Sequence, residues 1–128
     1  MVNYYGSDLN KFIDENCFRE MSCINIDCLL LKRSEKKIRI IESKHSKEKL
    51  PESQAEALTK LYELLKSSDH PWDAMVYLVR GDPPYEYVEI TEWTPEQKTY
   101  TLTQKELIEW LEFKKELKDF NPLSRFFG

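Results

Sequence analysis

Residues 24–44 decide how this chain reads: Ile24-Asn25-Ile26-Asp27-Cys28-Leu29-Leu30-Leu31-Lys32, then Arg33-Ser34-Glu35-Lys36, then Lys37-Ile38-Arg39-Ile40-Ile41-Glu42-Ser43-Lys44. Residues 23–32 and 37–44 are rich in strand formers, and the polar tetrad between them predicts a hairpin. With a four-residue loop, Lys32 faces Lys37 and Asp27 lies directly across from Glu42. Directly opposed residues share a face of the sheet, with Cβ atoms about 4.5–5.5 Å apart. Lys44, two positions beyond Glu42, projects from the same face. A loop one residue longer or shorter would turn Asp27 to the other face. In the four-residue register two carboxylates and one ammonium converge, a set that suits a hard divalent cation such as Mg²⁺. The competing reading is an exposed sheet face laced with cross-strand salt bridges. Glu42 argues against it, because it follows four residues of a strand that reads as largely buried. A buried carboxylate is rare unless paired or metal-bound.

Outward from the hairpin, residues 7–20 read as a helix, with Leu9, Phe12, Ile13 and Cys17 at helical spacing. After the hairpin, either Pro51 occupies the first turn of a helix or Ser53 and Glu56 form its capping box. That helix runs to about Lys66 with Leu58, Leu61, Tyr62 and Leu65 on one face. Residues 73–80 form a strand apolar enough to be buried on both sides. Two further strands, over 85–93 and 98–102, are joined by Thr94-Pro95-Glu96-Gln97. Thr103 and Glu106 form a capping box that opens a last helix through Leu107, Ile108, Leu111 and Leu117. The order α-β-β-α-β-β-β-α points to an α/β fold with helices flanking a mixed β-sheet. No Gly-rich phosphate loop follows any strand, which disfavours a doubly wound nucleotide fold.

The hairpin acids and lysine, with Gln54 early in the next helix, resemble the motifs of the PD-(D/E)XK nucleases. The resemblance covers about residues 8–80. It rests on Asp27 after Ile24-Asn25-Ile26, on Glu42-Ser43-Lys44 after two isoleucines, and on Gln54. It implies a restriction-endonuclease-like core in which Asp27, Glu42 and the Ser43 carbonyl hold Mg²⁺ or Mn²⁺. Lys44 would position the attacking water or stabilise charge on the phosphorane, and Gln54 would belong to the same site. An acid of the first helix commonly completes such a site, here Glu15 or Glu20, with Glu15 favoured. The chain departs from the family pattern in three places. Asn25-Ile26 stands before Asp27 where the family usually has Pro, and only residues 17–22 separate the first helix from the Asp strand. Leu58 stands where one subgroup has Tyr.

At 128 residues with 41% hydrophobic and 33% charged side chains, the chain fits one domain with a real core. The net charge of −4 argues against a broad nucleic-acid surface, but the charge is uneven. Residues 32–49 hold eight Lys or Arg against three acids, a local excess of five positive charges. Lys32, Arg33, Lys36, Lys37, Lys47 and Lys49 are the residues expected to track a phosphate backbone, if they are more than a solvated hairpin tip and loop. Tyr85, Tyr87, Trp93 and Tyr100 read as strand packing ahead of base stacking. Trp110, Phe113 and the Phe-rich tail read as core or as a dimer surface. Cys17, Cys23 and Cys28 give neither a disulfide framework nor a CxxC pair, and His45 and His70 lie too far apart in sequence to suggest zinc. No apolar run approaches a membrane span and the N-terminus shows no leader pattern, so a cytoplasmic location is expected.

Together these readings predict a Mg²⁺- or Mn²⁺-dependent DNA endonuclease acting in recombination, repair or viral genome processing. A homodimer in which each subunit cuts one strand is expected. The alternatives are a non-catalytic nucleic-acid- or protein-binding module on the same fold, and an RNA-directed nuclease.

Overall fold

The computed structural model of the chain describes residues 8–17 and 26–120. One mixed sheet contains β1 (Cys28–Lys32), β2 (Lys37–Lys44), β3 (Asp73–Arg80), β4 (Tyr87–Glu92) and β5 (Thr99–Thr103), ordered as in the sequence. The helices are α1 (Asp8–Asn16), α2 (Glu52–Ser67) and α3 (Gln104–Leu111). β2 and β3 run parallel, joined by α2, and the other neighbouring pairs are antiparallel. Parallel neighbours need such a crossover, whereas antiparallel ones close with short turns. The chain is therefore α/β, with the element order expected.

The hairpin has the four-residue loop. Pairing runs from Lys32↔Lys37 to Cys28↔Ile41. Arg33–Glu35 form one 3₁₀ turn, and Lys36 then takes a left-handed conformation, φ 53° and ψ 49°, its N–H bonding to the Arg33 carbonyl. A single left-handed residue closes the turn and returns the chain in register.

Strand alternation divides the apolar residues between two cores. On one face Ile40, Val76 and Leu78 pack with Leu58 of α2 and with Trp93. On the other, Ile41, Tyr77, Val88, Ile90 and Leu102 pack with Leu107 and Trp110 of α3, and with Leu117 and Phe120. α2 thus covers β3 on one side, while α3 covers β4 and β5 on the other. Among the described residues no helix is long and apolar enough to cross a membrane.

Several boundaries differ from the sequence reading, for local reasons. β1 begins at Cys28; Ile26 and Asp27 precede it, and residues 23–25 of the expected strand lie outside the described residues. α1 stops at Asn16, whose side-chain amide donates to the Phe12 carbonyl at 2.9 Å. An Asn that bonds the backbone in this way favours helix ends over interiors. Pro51 is the cap residue just before α2, and the Ser53–Glu56 capping box does not form. The Thr103–Glu106 box does form and opens α3.

The last helix is shorter than its apolar spacing suggests. It ends in a Schellman-type closure, with Phe113 N–H to the Trp110 carbonyl, Lys114 N–H to the Glu109 carbonyl, and Phe113 left-handed at φ 61°. That position usually takes Gly, and a side chain there costs on the order of 1 kcal/mol. The offset comes from Arg39, a 2% exposed residue of β2. Its guanidinium carbon lies 4.1 Å from the Phe113 ring centroid and 4.7 Å from that of Trp110. One Nη donates to the Trp110 carbonyl and the other reaches Glu116 at 2.7 Å. Leu117 is still buried, but from a separate 3₁₀ turn, Leu117–Asp119. Of the expected core-or-dimer aromatics, Trp110 and Phe120 are core, while Phe126 and Phe127 lie outside the described residues.

Arg39 therefore ties β2 to the chain that follows α3. Arg39→Ala leaves the Trp110 carbonyl and Glu116 without their charged donor, and should lower the urea-unfolding free energy by about 3 kcal/mol. Arg39→Lys should recover less than half of that, because an ammonium can neither fork nor stack like a guanidinium. Equal stability of wild type and Arg39→Ala would show that the clamp contributes nothing.

Candidate functional site

The site forms where β1 and β2 separate. Continuing the hairpin register by one pair sets Asp27 opposite Glu42, and Asp27 Oδ2 accepts the Ser43 N–H at 2.8 Å. The Asp side chain thus takes over as the ladder ends, which fixes its carboxylate beside β2. Glu42 is only 4% exposed, on the same face as Ile40. The Lys44 ammonium, two residues on, lies 3.4 Å from Glu42 Oε1. All three side chains line a cavity of about 640 Å³, together with Ser43, His45, Glu48 and Gln54. Gln54 enters from the first turn of α2, and its Oε1 is buried without a hydrogen-bond partner.

Burial pushes the Glu42 carboxyl up to about 7, and the Asp27 charge pushes in the same direction. Lys44 opposes both without overcoming them. Two acids at one site resist ionising together. The patch holds oxygen donors, a charge repulsion that a cation relieves, and the buried amide oxygen of Gln54, which has no bond. These features fit a hydrated divalent cation on Asp27 and Glu42, with the Ser43 carbonyl beside them. Among the described residues there is no group of three or more His, Cys, Asp or Glu side chains arranged to hold a metal.

Of the first-helix acids, Glu15 is exposed on α1 and is not among the described residues lining the cavity, and Glu20 lies outside the described residues. The sequence reading missed Glu48. Its Oε1 accepts the His45 N–H at 3.0 Å and its Oε2 lies 3.5 Å from Lys44 Nζ. These bonds hold the Glu48 carboxyl below the usual carboxylate range, the His45 N–H contributing most. Lys44 therefore sits between two acids, one from its own strand and one from the loop after it. Glu-x-Lys followed four residues later by Glu is the only trace of this in the sequence, and charged residues are too common for it to stand out.

The loop after β2 is held from a second side. Arg80, at the end of β3, donates from one Nη to the carbonyls of His45 and Glu48. Asp82 accepts from the Ser46 N–H at 3.1 Å and from the Ser46 hydroxyl, and lies 3.2 Å from His45 Nδ1. Those bonds hold the Asp82 carboxyl low, the Ser46 hydroxyl first. The parallel β2–β3 register brings these groups together by pairing Lys44 with Arg80.

The basic stretch is divided. Lys32, Arg33, Lys36 and Lys37 sit at the hairpin tip, and at about 3.3 Å per strand residue Lys37 is about 23 Å from Lys44. Two tip lysines are engaged, Lys32 with Glu35 and Lys37 with Glu35 and Glu116. Lys47 and Lys49 are exposed in the loop at the site end.

No protein-family model, curated protein or solved structure matches this chain.

The raised Glu42 carboxyl makes a prediction for metal-free protein. In the unfolded chain Glu42 loses its proton near its ordinary value of 4.5, whereas in the fold it keeps it to about 7. Between those values the native state binds more protons, so this residue's contribution to stability falls as pH rises. Above about 7 the loss is complete, on the order of 3 kcal/mol at 1.36 kcal/mol per unit. In EDTA, Glu42→Gln should gain on wild type by that order between pH 4.5 and pH 8 in urea unfolding. A stability difference independent of pH would place the acid in a solvated setting instead.

Proposed function

We propose that this chain is a Mg²⁺- or Mn²⁺-dependent phosphodiesterase acting on DNA, built on a restriction-endonuclease-like core. The observation that carries the reading is the Asp27–Glu42 pair, opposed across the hairpin end with Lys44 at 3.4 Å from the buried acid. A fold optimised for stability alone would not bury a carboxylate against a second one. Such an arrangement is accounted for by a ligand that makes both charges favourable.

Asp27 and Glu42, with the Ser43 carbonyl, would hold the cation, which when bound supplies charge neutralisation at the phosphate and a more acidic water. Each residue of the chain has its own task. Ser43 N–H fixes the Asp27 carboxylate, so one donor is oriented before any ligand arrives. Lys44, held by Glu42 and Glu48, presents an ammonium at a set point beside the acids, where it can stabilise negative charge growing on the phosphate oxygens. Gln54 supplies a polar group from α2 toward water or substrate. The exposed Lys47 and Lys49 offer the loop a sequence-independent hold on the backbone.

One observation favours a second reading. Glu48, the third carboxylate lining the cavity, accepts the His45 N–H and lies 3.5 Å from Lys44, so its charge is already engaged, which suits a binding module that keeps the fold without cleaving. Asp27→Asn, Glu42→Gln and Lys44→Ala should each lower the DNA cleavage rate at least about 100-fold. Mn²⁺ should raise the Tm of wild type, and the first two substitutions should abolish that rise. Because Glu42→Gln is expected to be the more stable protein at neutral pH, its inactivity cannot be put down to unfolding. Wild-type cleavage in all three variants would sink the nuclease reading. Nucleic-acid binding indifferent to EDTA, with no cleavage of linear, branched or single-stranded DNA, would establish the binding module. Cleavage confined to RNA would redirect the substrate.

A further inference from the structure

A second cavity, of about 390 Å³, lies on the other side of the loop that walls the site. The two cavities share no lining residue but are linked through residues 45–48 and Arg80. Ser46 and Arg80 line the second cavity, and Arg80 donates to the carbonyls of His45 and Glu48, which line the first. Register places both cavities on one face of the sheet. Arg80 pairs with Lys44 and with Glu89, Glu89 pairs with Thr101, and Tyr87 lies two residues before Glu89. The row from Asp27 and Glu42 through Lys44 and Arg80 to Glu89 and Tyr87 therefore crosses the sheet on a single side.

Tyr87 separates itself from the other strand aromatics. Trp93 is 8% exposed and in a core, whereas Tyr87 is 64% exposed although it lies within a strand. A large ring left bare on a sheet beside a cavity is not explained by packing. It is the kind of surface on which a base stacks. The lining also says which part of a nucleotide enters. Asp82, Glu86 and Glu89 would repel a phosphate, and Asp82 is already committed to Ser46 and His45. Carboxylates accept hydrogen bonds only, so they suit a base edge that donates. Cytosine and adenine present an exocyclic amine, and a Glu acceptor on the cytosine amine is a known pairing. Thymine carries a carbonyl oxygen, O4, where cytosine carries that amine.

We propose that this cavity is a base subsite, which binds one unpaired nucleobase, cytosine or adenine over thymine, stacked on Tyr87 next to the cleavage site. This rests on the nuclease reading for its place beside a scissile phosphate, but not for the binding itself. A stacked base requires that nucleotide to be unpaired, so the substrate class is DNA with single-stranded character beside the cut: an end, a flap or a junction.

The test uses the full chain in EDTA, titrated into a single-stranded 12-nucleotide DNA carrying one 2-aminopurine. Stacking on a tyrosine should quench the probe. Tyr87→Ala should lose the quenching and bind about tenfold more weakly, within the range measured for removing a base–aromatic stack. Tyr87→Trp should restore both, which a merely unfolded or rearranged surface would not. Wild type should bind oligo-dC several-fold more tightly than oligo-dT, and Glu89→Gln should shrink that ratio. Quenching and affinity unchanged in Tyr87→Ala, or no binding by wild type, would overturn the subsite. Parallel cleavage assays with Mn²⁺ keep the two readings apart. Cleavage by wild type with no effect of Tyr87→Ala on binding removes the subsite alone. Tyr87-dependent quenching without any cleavage keeps the subsite and removes the nuclease.

Discussion

The register of one hairpin decides what this protein can be. Asp27 meets Glu42 only because Arg33–Glu35 make a single 3₁₀ turn and Lys36 swings left-handed, so that Lys32 returns opposite Lys37. A slip of one residue would exchange faces along the whole of β1. Asp27 would then leave the α2 side, and Leu30 would trade places with the more exposed Leu29 and Leu31. The register is also held at its open end, where the Asp27 carboxylate bonds the Ser43 N–H. The candidate site and the hairpin's end are thus one object, and the residue that offers chemistry also closes the ladder.

The site is a local departure from what stability asks. Glu42 is as buried as the isoleucines before it, and its carboxyl is pushed to about 7 by that burial and by Asp27. The rest of the structure compensates on the opposite face of the same strand. There Arg39, equally buried, is stacked between two rings and bonded to Glu116, so that its charge is fully engaged. β2 therefore carries two buried ionisable groups, one basic and one acidic, on opposite faces. The satisfied one anchors the chain beyond α3, and the strained one faces the cavity.

How much of this could be read from the residues follows from the range of each interaction. The strand 73–80, the Thr103–Glu106 cap and the hairpin loop were legible because short stretches encode them: an apolar run, a box spaced by three, a polar tetrad. Pairing Asp27 with Glu42 followed from loop length alone. The end of α3 was not legible, because the spacing of Leu107, Ile108, Leu111 and Leu117 continues a helical pattern past its real end. What stops it is the left-handed Phe113, supported by an Arg 74 positions earlier in the chain. Glu48 was missed for a related reason. Its partners are a backbone N–H and a lysine four residues back, and nothing in its immediate sequence marks it out from other surface acids. Arg80 and Asp82 reach the loop only through the parallel pairing of β2 with β3, which no local pattern announces.

The same topology corrects how the charge should be weighed. Read along the chain, residues 32–49 are a basic island; read in space, they are two groups at the ends of an eight-residue strand. The tip group is partly neutralised by Glu35 and Glu116, so its pull on a polyanion is less than its residue count implies. At the site end, Lys44 is engaged by two acids while Lys47 and Lys49 stand in solvent. With about one Debye length, some 8 Å, as the reach of an exposed charge at physiological salt, the two groups act separately. A phosphate chain bound as proposed would therefore meet the loop lysines first. Beyond Arg80 it would meet an acidic rim at Glu86 and Glu89, which would favour the bases over the backbone. On the proposed function, that gradient, basic then acidic across a single loop, would give a DNA strand a preferred way to turn its bases toward the sheet, and a duplex would have no comparable freedom to follow it.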